Sequence, residues 1–438
     1  MPGAPSFGFI LIGTVADGAR LFSEYGGIPW QAKLLIYISF IPNVAIGFIY
    51  TDLSYFLPKV QGVPSPWPGV IITVMGLTLV AESIPLGIAA DRFGRRKMLI
   101  IGNLCASLSL LGFAFTTDIT LLLIIAVLEG TGEAAYAVSV GALLAEKSGD
   151  EKRTAGFSLL AFLGWVAGAL GSIIVSTVPA FQVVGLDIRQ AHIVLYLAVG
   201  LMALAITPLM LRITEGAKFP GFKEILPKKS GRVLAKFGVY SVMIAVGAGL
   251  FVPLMLYWFS AAYGVPDHVS APVLSVTYLL TAFAVFTSPR LARKFGLVKA
   301  TVLTQGASTV FMVLIPSSPT FPIAATIYVA RVFLMNLSNP LTQSLIMGLV
   351  SPDERGMASG ITASLWRLPN SLSTTVGYTL IGGGFLALPF YIATVLYAVG
   401  IGIFWLLFRN AKLPEEVARN AAQAPIQSSS REGPETER

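Results

Sequence analysis

The chain has 438 residues, 55% of them hydrophobic and only 12% charged, whereas soluble globular proteins carry about 25% charged residues. That composition excludes a soluble domain and implies an integral membrane protein built from helices, because open strands would leave backbone groups unpaired in lipid. The net charge of +8 does not imply nucleic acid, since the basic residues sit in short loops on alternate sides of apolar stretches.

Residues 1–32 are expected to be a cytoplasmic N-terminal segment. Its apolar run, 7–16, is too short to span and has no basic residues before it, so it reads as an interfacial helix and not as a signal peptide. Twelve apolar stretches follow, each near the ~20 residues a helix needs to cross ~30 Å of hydrocarbon: 34–57, 69–90, 98–117, 119–145, 154–178, 191–211, 237–263, 269–289, 300–315, 321–350, 356–380 and 385–408. The first six make an N-terminal six-helix bundle over 33–211. A polar connection over 212–236, with seven Lys or Arg and with Pro220, Gly221, Pro227 and Gly231, reads as a cytoplasmic linker. A second bundle covers 237–409, and 410–438 turns to Ala, Gln, Ser, Pro and Glu, a composition too polar to bury a core, so it is expected to be disordered.

With the N-terminus cytoplasmic, 26 of the 30 Lys and Arg fall inside, Lys59 and Arg189 outside, and Arg331 and Arg367 within spans. This positive-inside pattern places both termini in the cytoplasm, with the plasma membrane as the expected location. Cys105 is alone, which excludes an intramolecular disulfide. His192 and His268 fall in expected external loops, so no metal-ligand cluster is visible and no cofactor is expected.

The two halves echo one another at an offset of 202 residues. Asp91, Gly94, Glu129 and Arg153 stand opposite Arg293, Gly296, Arg331 and Arg355, which is the mark of a duplicated membrane unit.

Between the second and third stretches stands Gly87-Ile-Ala-Ala-Asp91-Arg92-Phe-Gly94-Arg95-Arg96-Lys97. This segment resembles the loop signature of the major facilitator superfamily, at the same location in twelve-helix transporters. Pro289-Arg-Leu-Ala-Arg293-Lys294-Phe295-Gly296 resembles its degraded second copy. The loops Asp150-Glu-Lys-Arg153 and Ser351-Pro-Asp353-Glu354-Arg355 also match each other. The resemblance covers nearly the whole chain. It implies an all-α membrane fold of two pseudo-symmetric six-helix bundles around a central cavity, alternating between inward-open and outward-open states, and a monomer. It further implies gating roles for Gly87, Asp91, Arg92, Gly94, Arg95, Arg96, Arg293, Gly296, Asp353 and Arg355, with Asp91 meeting the positive N-terminal end of the eleventh span. The chain departs from the drug–proton antiporter branch in carrying Glu129 where many members have arginine, and in lacking a Gly-Pro pair on the fifth span.

Six ionisable residues lie within spans, and each costs several kcal/mol if it faces lipid, so each should face the cavity or a partner. At ~1.5 Å rise per residue, Glu129, Arg331 and Arg367 sit near the midplane, with Glu82 slightly below it and Asp52 near the outer mouth. Glu129 and Glu133 share a helix face one turn apart. Two carboxylates that close favour retention of a proton, which marks Glu129, Glu133, Glu82 and Asp52 as proton-coupling candidates. A structural alternative pairs Glu129 with Arg331 across the cavity. Arg331 and Arg367 offer planar forks for carboxylate or phosphate; Trp366 can pack an apolar group, and Asn336, Asn339 and Asn370 add neutral hydrogen bonding. Together these make the substrate-binding candidates.

The expected function is a secondary active transporter of a small organic anion or zwitterion, coupled to protons. A multidrug–proton antiporter is the alternative, and a non-transporting membrane receptor a lesser one. No His-Glu-x-x-His, Gly-x-Ser-x-Gly or mid-membrane histidine suggests an enzyme.

Overall fold

A computed structural model describes residues 26–214, 229–351 and 354–411. The expected interfacial helix over 7–16, most of the linker, Asp353 and the tail beyond 411 lie outside the described residues. What is described is almost entirely helical: α1 (Trp30–Val60), α2 (Trp67–Phe93), α3 (Arg95–Phe115), α4 (Ile119–Gly149), α5 (Glu151–Val183), α6 (Ile188–Met210), α7 (Gly231–Tyr263), α8 (Asp267–Phe295), α9 (Leu297–Leu314), α10 (Phe321–Leu349), α11 (Arg355–Gly382) and α12 (Leu388–Phe408). Ten of these are long and apolar enough to cross a membrane, and α8 makes an eleventh when its two segments, bent by 55°, are taken as one span. The bend follows Ala284, where Pro289 removes a backbone donor one turn further on. Helix α11 has 28 residues, ample length at ~1.5 Å each, but its Ser, Thr, Gly and Asn make it the most polar of the set. That polarity fits a helix which lines an interior.

The 202-residue echo recurs as geometry. Gly94 and Gly296 each end a helix with positive φ, 113° and 77°, and each donates its N–H back to an alanine carbonyl, Ala90 at 3.0 Å and Ala292 at 2.8 Å. A side chain at either place would meet the steric penalty of the left-handed region, so the two turns need glycine. Close helix crossings repeat as well. A Cβ on Gly47 would strike the backbone of Gly168, joining α1 to α5, and one on Gly249 would strike the backbone of Asn370, joining α7 to α11. Residues 47 and 168 are the 202-offset partners of 249 and 370.

Helices α2 and α5 of the first half meet α11 and α8 of the second. Thr73 donates to the Ser371 carbonyl at 2.7 Å and lies 2.7 Å from the Thr375 hydroxyl. Ser172 donates to the Ala271 carbonyl at 3.1 Å and Ser275 to the Ala169 carbonyl at 2.9 Å. These bonds all lie toward the end of the bundle away from Asp91, here called the far end. The opposite end, bearing Asp91, is the linker end, and toward it the central cavity is lined by Asn339 and Gln343 of α10 and Ser359 and Thr362 of α11.

Candidate functional site

A cavity of about 650 Å³ lies between the halves. Its wall comes from the second half apart from Tyr50 on α1 and Trp165 on α5. Aromatic faces are supplied by Tyr240, Tyr278, Tyr328, Tyr397 and Trp366, and amides by Gln305, Asn336, Asn339, Gln343 and Asn370. Asn336 donates to Thr281 Oγ1 at 3.0 Å and Asn339 to Asn336 Oδ1 at 2.8 Å, so the amides of α10 form a chain along the wall.

Arg331 is buried at 3% exposure on this wall. Its Nη2 donates to the Tyr397 hydroxyl at 2.8 Å, and the guanidinium carbon sits 5.0 Å from the Phe251 ring centroid and 5.4 Å from that of Tyr397. The rings stabilise the cation without neutralising it. Among the described residues no carboxylate lies within ion-pair distance of Arg331, and its Nε has no hydrogen-bond partner.

Arg367 behaves differently. It turns from the cavity to Glu133 on α4, with Nη2 2.9 Å from Oε1, while its Nη1 donates to the Tyr50 hydroxyl at 3.3 Å. Tyr50 in turn donates to the other Glu133 oxygen at 2.6 Å. The result is a three-membered cluster that ties α1 and α4 of the first half to α11 of the second. Glu129, one turn earlier, is buried and accepts a hydrogen bond from Ser109 on α3. Glu129 and Glu133 both face a small apolar void of about 20 Å³ among α1, α3, α4 and α6.

The pairing of Glu129 with Arg331 expected as the structural alternative is not what the structure has. Each residue turns into its own bundle, Glu129 toward Ser109 and Arg331 toward Tyr397, and an ion pair that does cross the halves near the midplane is Glu133–Arg367. Among the other expected site residues, Trp366, Asn336, Asn339 and Asn370 line the cavity. Glu82 is half-buried on α2. Asp52 stands apart from the glutamates, fully buried at the far end with His192 on α6 and Asp267 on α8. His192 therefore differs from its expected place in an external loop: it lies inside α6 at 0% exposure, and three possible metal ligands gather where the sequence showed no cluster.

The expected gating residues that are described lie at the linker end. Asp91 accepts from Arg95 at 2.8 Å, and Arg95 also reaches Glu146 at 3.4 Å. Arg96 donates to the Leu211 and Ile213 carbonyls at 3.4 Å each, and the Arg92 guanidinium lies 5.6 Å from the Phe93 ring centroid. Asp91, Arg92, Arg293 and Arg355 are exposed and Gly87 is half-buried. Among the described residues Asp91 makes the local bond to Arg95 and not the expected contact to the start of α11. Tyr50, Ser109, Tyr397 and Asp267 were invisible to the sequence reading, because a lone tyrosine, serine or aspartate carries no spacing signal.

The family profile described as Major Facilitator Superfamily matches residues 34–374. The chain belongs to the major facilitator superfamily. As a member it is a transporter of small molecules and not an enzyme. An uncharacterized membrane protein of Saccharomyces cerevisiae is 24% identical over 390 residues, covering 76% of this chain and 86% of that protein. Multidrug resistance protein 1 of Bacillus subtilis is 24% identical over 352 residues, covering 76% and 85% respectively. In fold, the superfamily chain is similar to the crystal structure of the nucleoside transporter NupG, with a TM-score of 0.68 at 13% identity over 86% of this chain and 99% of that one.

Proposed function

We propose that this superfamily member is a secondary active transporter of a small organic solute bearing a negative charge, moved by alternating access and coupled to protons. One observation carries the solute class: Arg331 is a buried guanidinium on the cavity wall without a carboxylate partner among the described residues. Desolvating a cation with no counter-ion is costly, and an anionic solute supplies the missing charge through the bidentate geometry that arginine favours. The aromatic faces around it suit the apolar or planar part of such a solute.

In this reading Glu129 and Glu133 hold the coupling proton, and Glu133, Tyr50 and Arg367 form the switch. Protonating Glu133 weakens its bond to Arg367, which frees the two halves to part along that line and the guanidinium to turn toward the cavity. The gating residues at Asp91 and its repeat copies close the linker end in the other state. With the linker end cytoplasmic, the structure corresponds to the inward-open state in the plasma membrane, and the monomer suffices for this cycle. Uptake of radiolabelled organic acids into proteoliposomes, with imposed pH gradients of either sign, tests the reading: an anion flux that responds to the gradient supports it, and flux indifferent to both gradient and solute charge sinks it.

A second reading, multidrug–proton antiport, draws support from the resemblance to the Bacillus multidrug resistance protein and from the aromatic wall. Resistance of pump-deficient cells to cationic dyes upon expression of the chain would favour it.

A further inference from the structure

Far from the cavity, the far end of the bundle contains a second buried polar centre that the transport scheme does not use. Asp52 on α1, His192 on α6 and Asp267 on α8 are each 0% exposed, and one ligand atom from each lies within 4.8 Å of the others. His192 Nε2 is 2.6 Å from Asp267 Oδ2 and 3.7 Å from Asp52 Oδ1. Its Nδ1 lies 2.7 Å from the Ile188 carbonyl, to which it donates, and its ring stacks on Phe56 at 5.5 Å between centroids. The backbone bond therefore commits Nε2 to the two carboxylates, the arrangement by which proteins orient a metal-binding imidazole.

The centre is short of partners. Both Asp52 oxygens, Asp267 Oδ1 and the Tyr196 hydroxyl are buried and none completes a hydrogen bond of good geometry, although the Tyr196 hydroxyl and Asp267 both face Asp52 and interact with it. His268 Nδ1 is likewise buried without a hydrogen-bond partner, 3.7 Å from Asp267 Oδ1, on a side chain that remains 24% exposed at the rim. Tyr55 completes the titratable surroundings. With both carboxylates ionised, the two acids and one imidazole leave net negative charge in this buried pocket whether or not the histidine is protonated, and that charge calls for a cation, either a proton or a metal ion.

The geometry points to a divalent transition-metal site, of zinc-like preference, built from Asp52, His192 and Asp267, with His268 as the rim ligand through which an ion gains access. Imidazole with carboxylates is a donor set suited to zinc. An ion bonds to Nε2 in place of the proton shared with Asp267, and that proton leaves to solvent. Two ligands belong to the first half and Asp267 to the second, so the ion binds the conformation in which the far end is closed and favours it by its differential affinity. The inference rests on this cluster alone and is independent of the solute carried.

The experiment uses the full chain, purified without a polyhistidine tag, stripped with chelator and titrated with zinc by calorimetry in two buffers of different ionisation heat. The expected result is one zinc per chain with release of about one proton, and affinity at least tenfold weaker in both His192→Gln and Asp267→Asn. Spin labels at the exposed far-end positions Gln182 and Ser317, in a Cys105→Ser background, should show zinc narrowing the distance between the halves in the wild type only. Absence of stoichiometric binding, equal affinity in either variant, or zinc binding that leaves the spin–spin distances unchanged overturns the proposal. The first result would leave the triad as a proton-bearing ion pair.

Discussion

Glu133 and Arg367, on opposite halves of the molecule, face each other at 2.9 Å with the Tyr50 hydroxyl touching both. Of the ionisable residues near the midplane, these two form the ion pair that spans the halves, so their charge state and the separation of the halves are linked quantities.

Removing one charge should therefore alter the cycle more than the fold. Glu133→Gln is expected to lower uptake at least tenfold, about 1.4 kcal/mol on the relevant barrier, with a smaller effect on thermal stability, because the amide keeps the side chain's shape and its carbonyl can still accept from Arg367. The double variant Glu133→Arg with Arg367→Glu should recover part of the loss. Transport assays beside melting curves check this, and an unaltered rate in the single variant would contradict it.

Arg331 should act on the solute and not on coupling. Arg331→Lys keeps the charge but loses the fork, so the apparent KM for an anionic solute is expected to rise at least tenfold while the stimulation by a pH gradient persists. Arg331→Gln should abolish saturable anion uptake. Concentration series at fixed pH separate the two parameters.

Glu129 is held by Ser109 and buried away from the open cavity. Glu129→Gln preserves shape and hydrogen bonding while fixing the charge at zero. Exchange of solute across the membrane without a gradient should continue, whereas accumulation driven by a pH gradient should fall to the uncoupled level. Counterflow and uphill uptake, measured on the same vesicles, distinguish these outcomes.

The two glycine turns allow a test of fold alone. With φ of 113° and 77°, Gly94→Ala and Gly296→Ala should each destabilise by about 1–2 kcal/mol, the cost of placing a Cβ in a left-handed conformation. Because the turns are equivalent, the losses should be similar and nearly additive, which thermal unfolding in detergent would show.

Much of this architecture is legible in the sequence because lipid imposes one demand everywhere: about twenty apolar residues per crossing, with charge allowed only in the interior. Gly94 and Gly296 are legible for a related reason, since a positive φ leaves few residue choices. The wall residues Asn336, Asn339, Asn370 and Trp366 could be named from polarity within a span. Which charges meet could not. Glu129 and Arg331 look like partners because they occupy equivalent places in the repeat, yet side-chain direction is set by the local neighbours Ser109 and Tyr397, which the repeat does not share. The triad of Asp52, His192 and Asp267 draws on three helices, with its members 140 and 75 residues apart in sequence, and only packing brings them together.

All but two of the residues lining the cavity belong to the second half, while the glutamates belong to the first. In the proposed scheme, recognition and energy supply are thus housed in separate halves of the duplicate. A lineage with this division of labour can acquire new cargo by redrafting one bundle while its driving machinery stays intact, and chimeras that exchange α7–α12 between relatives should carry their cargo preference with them.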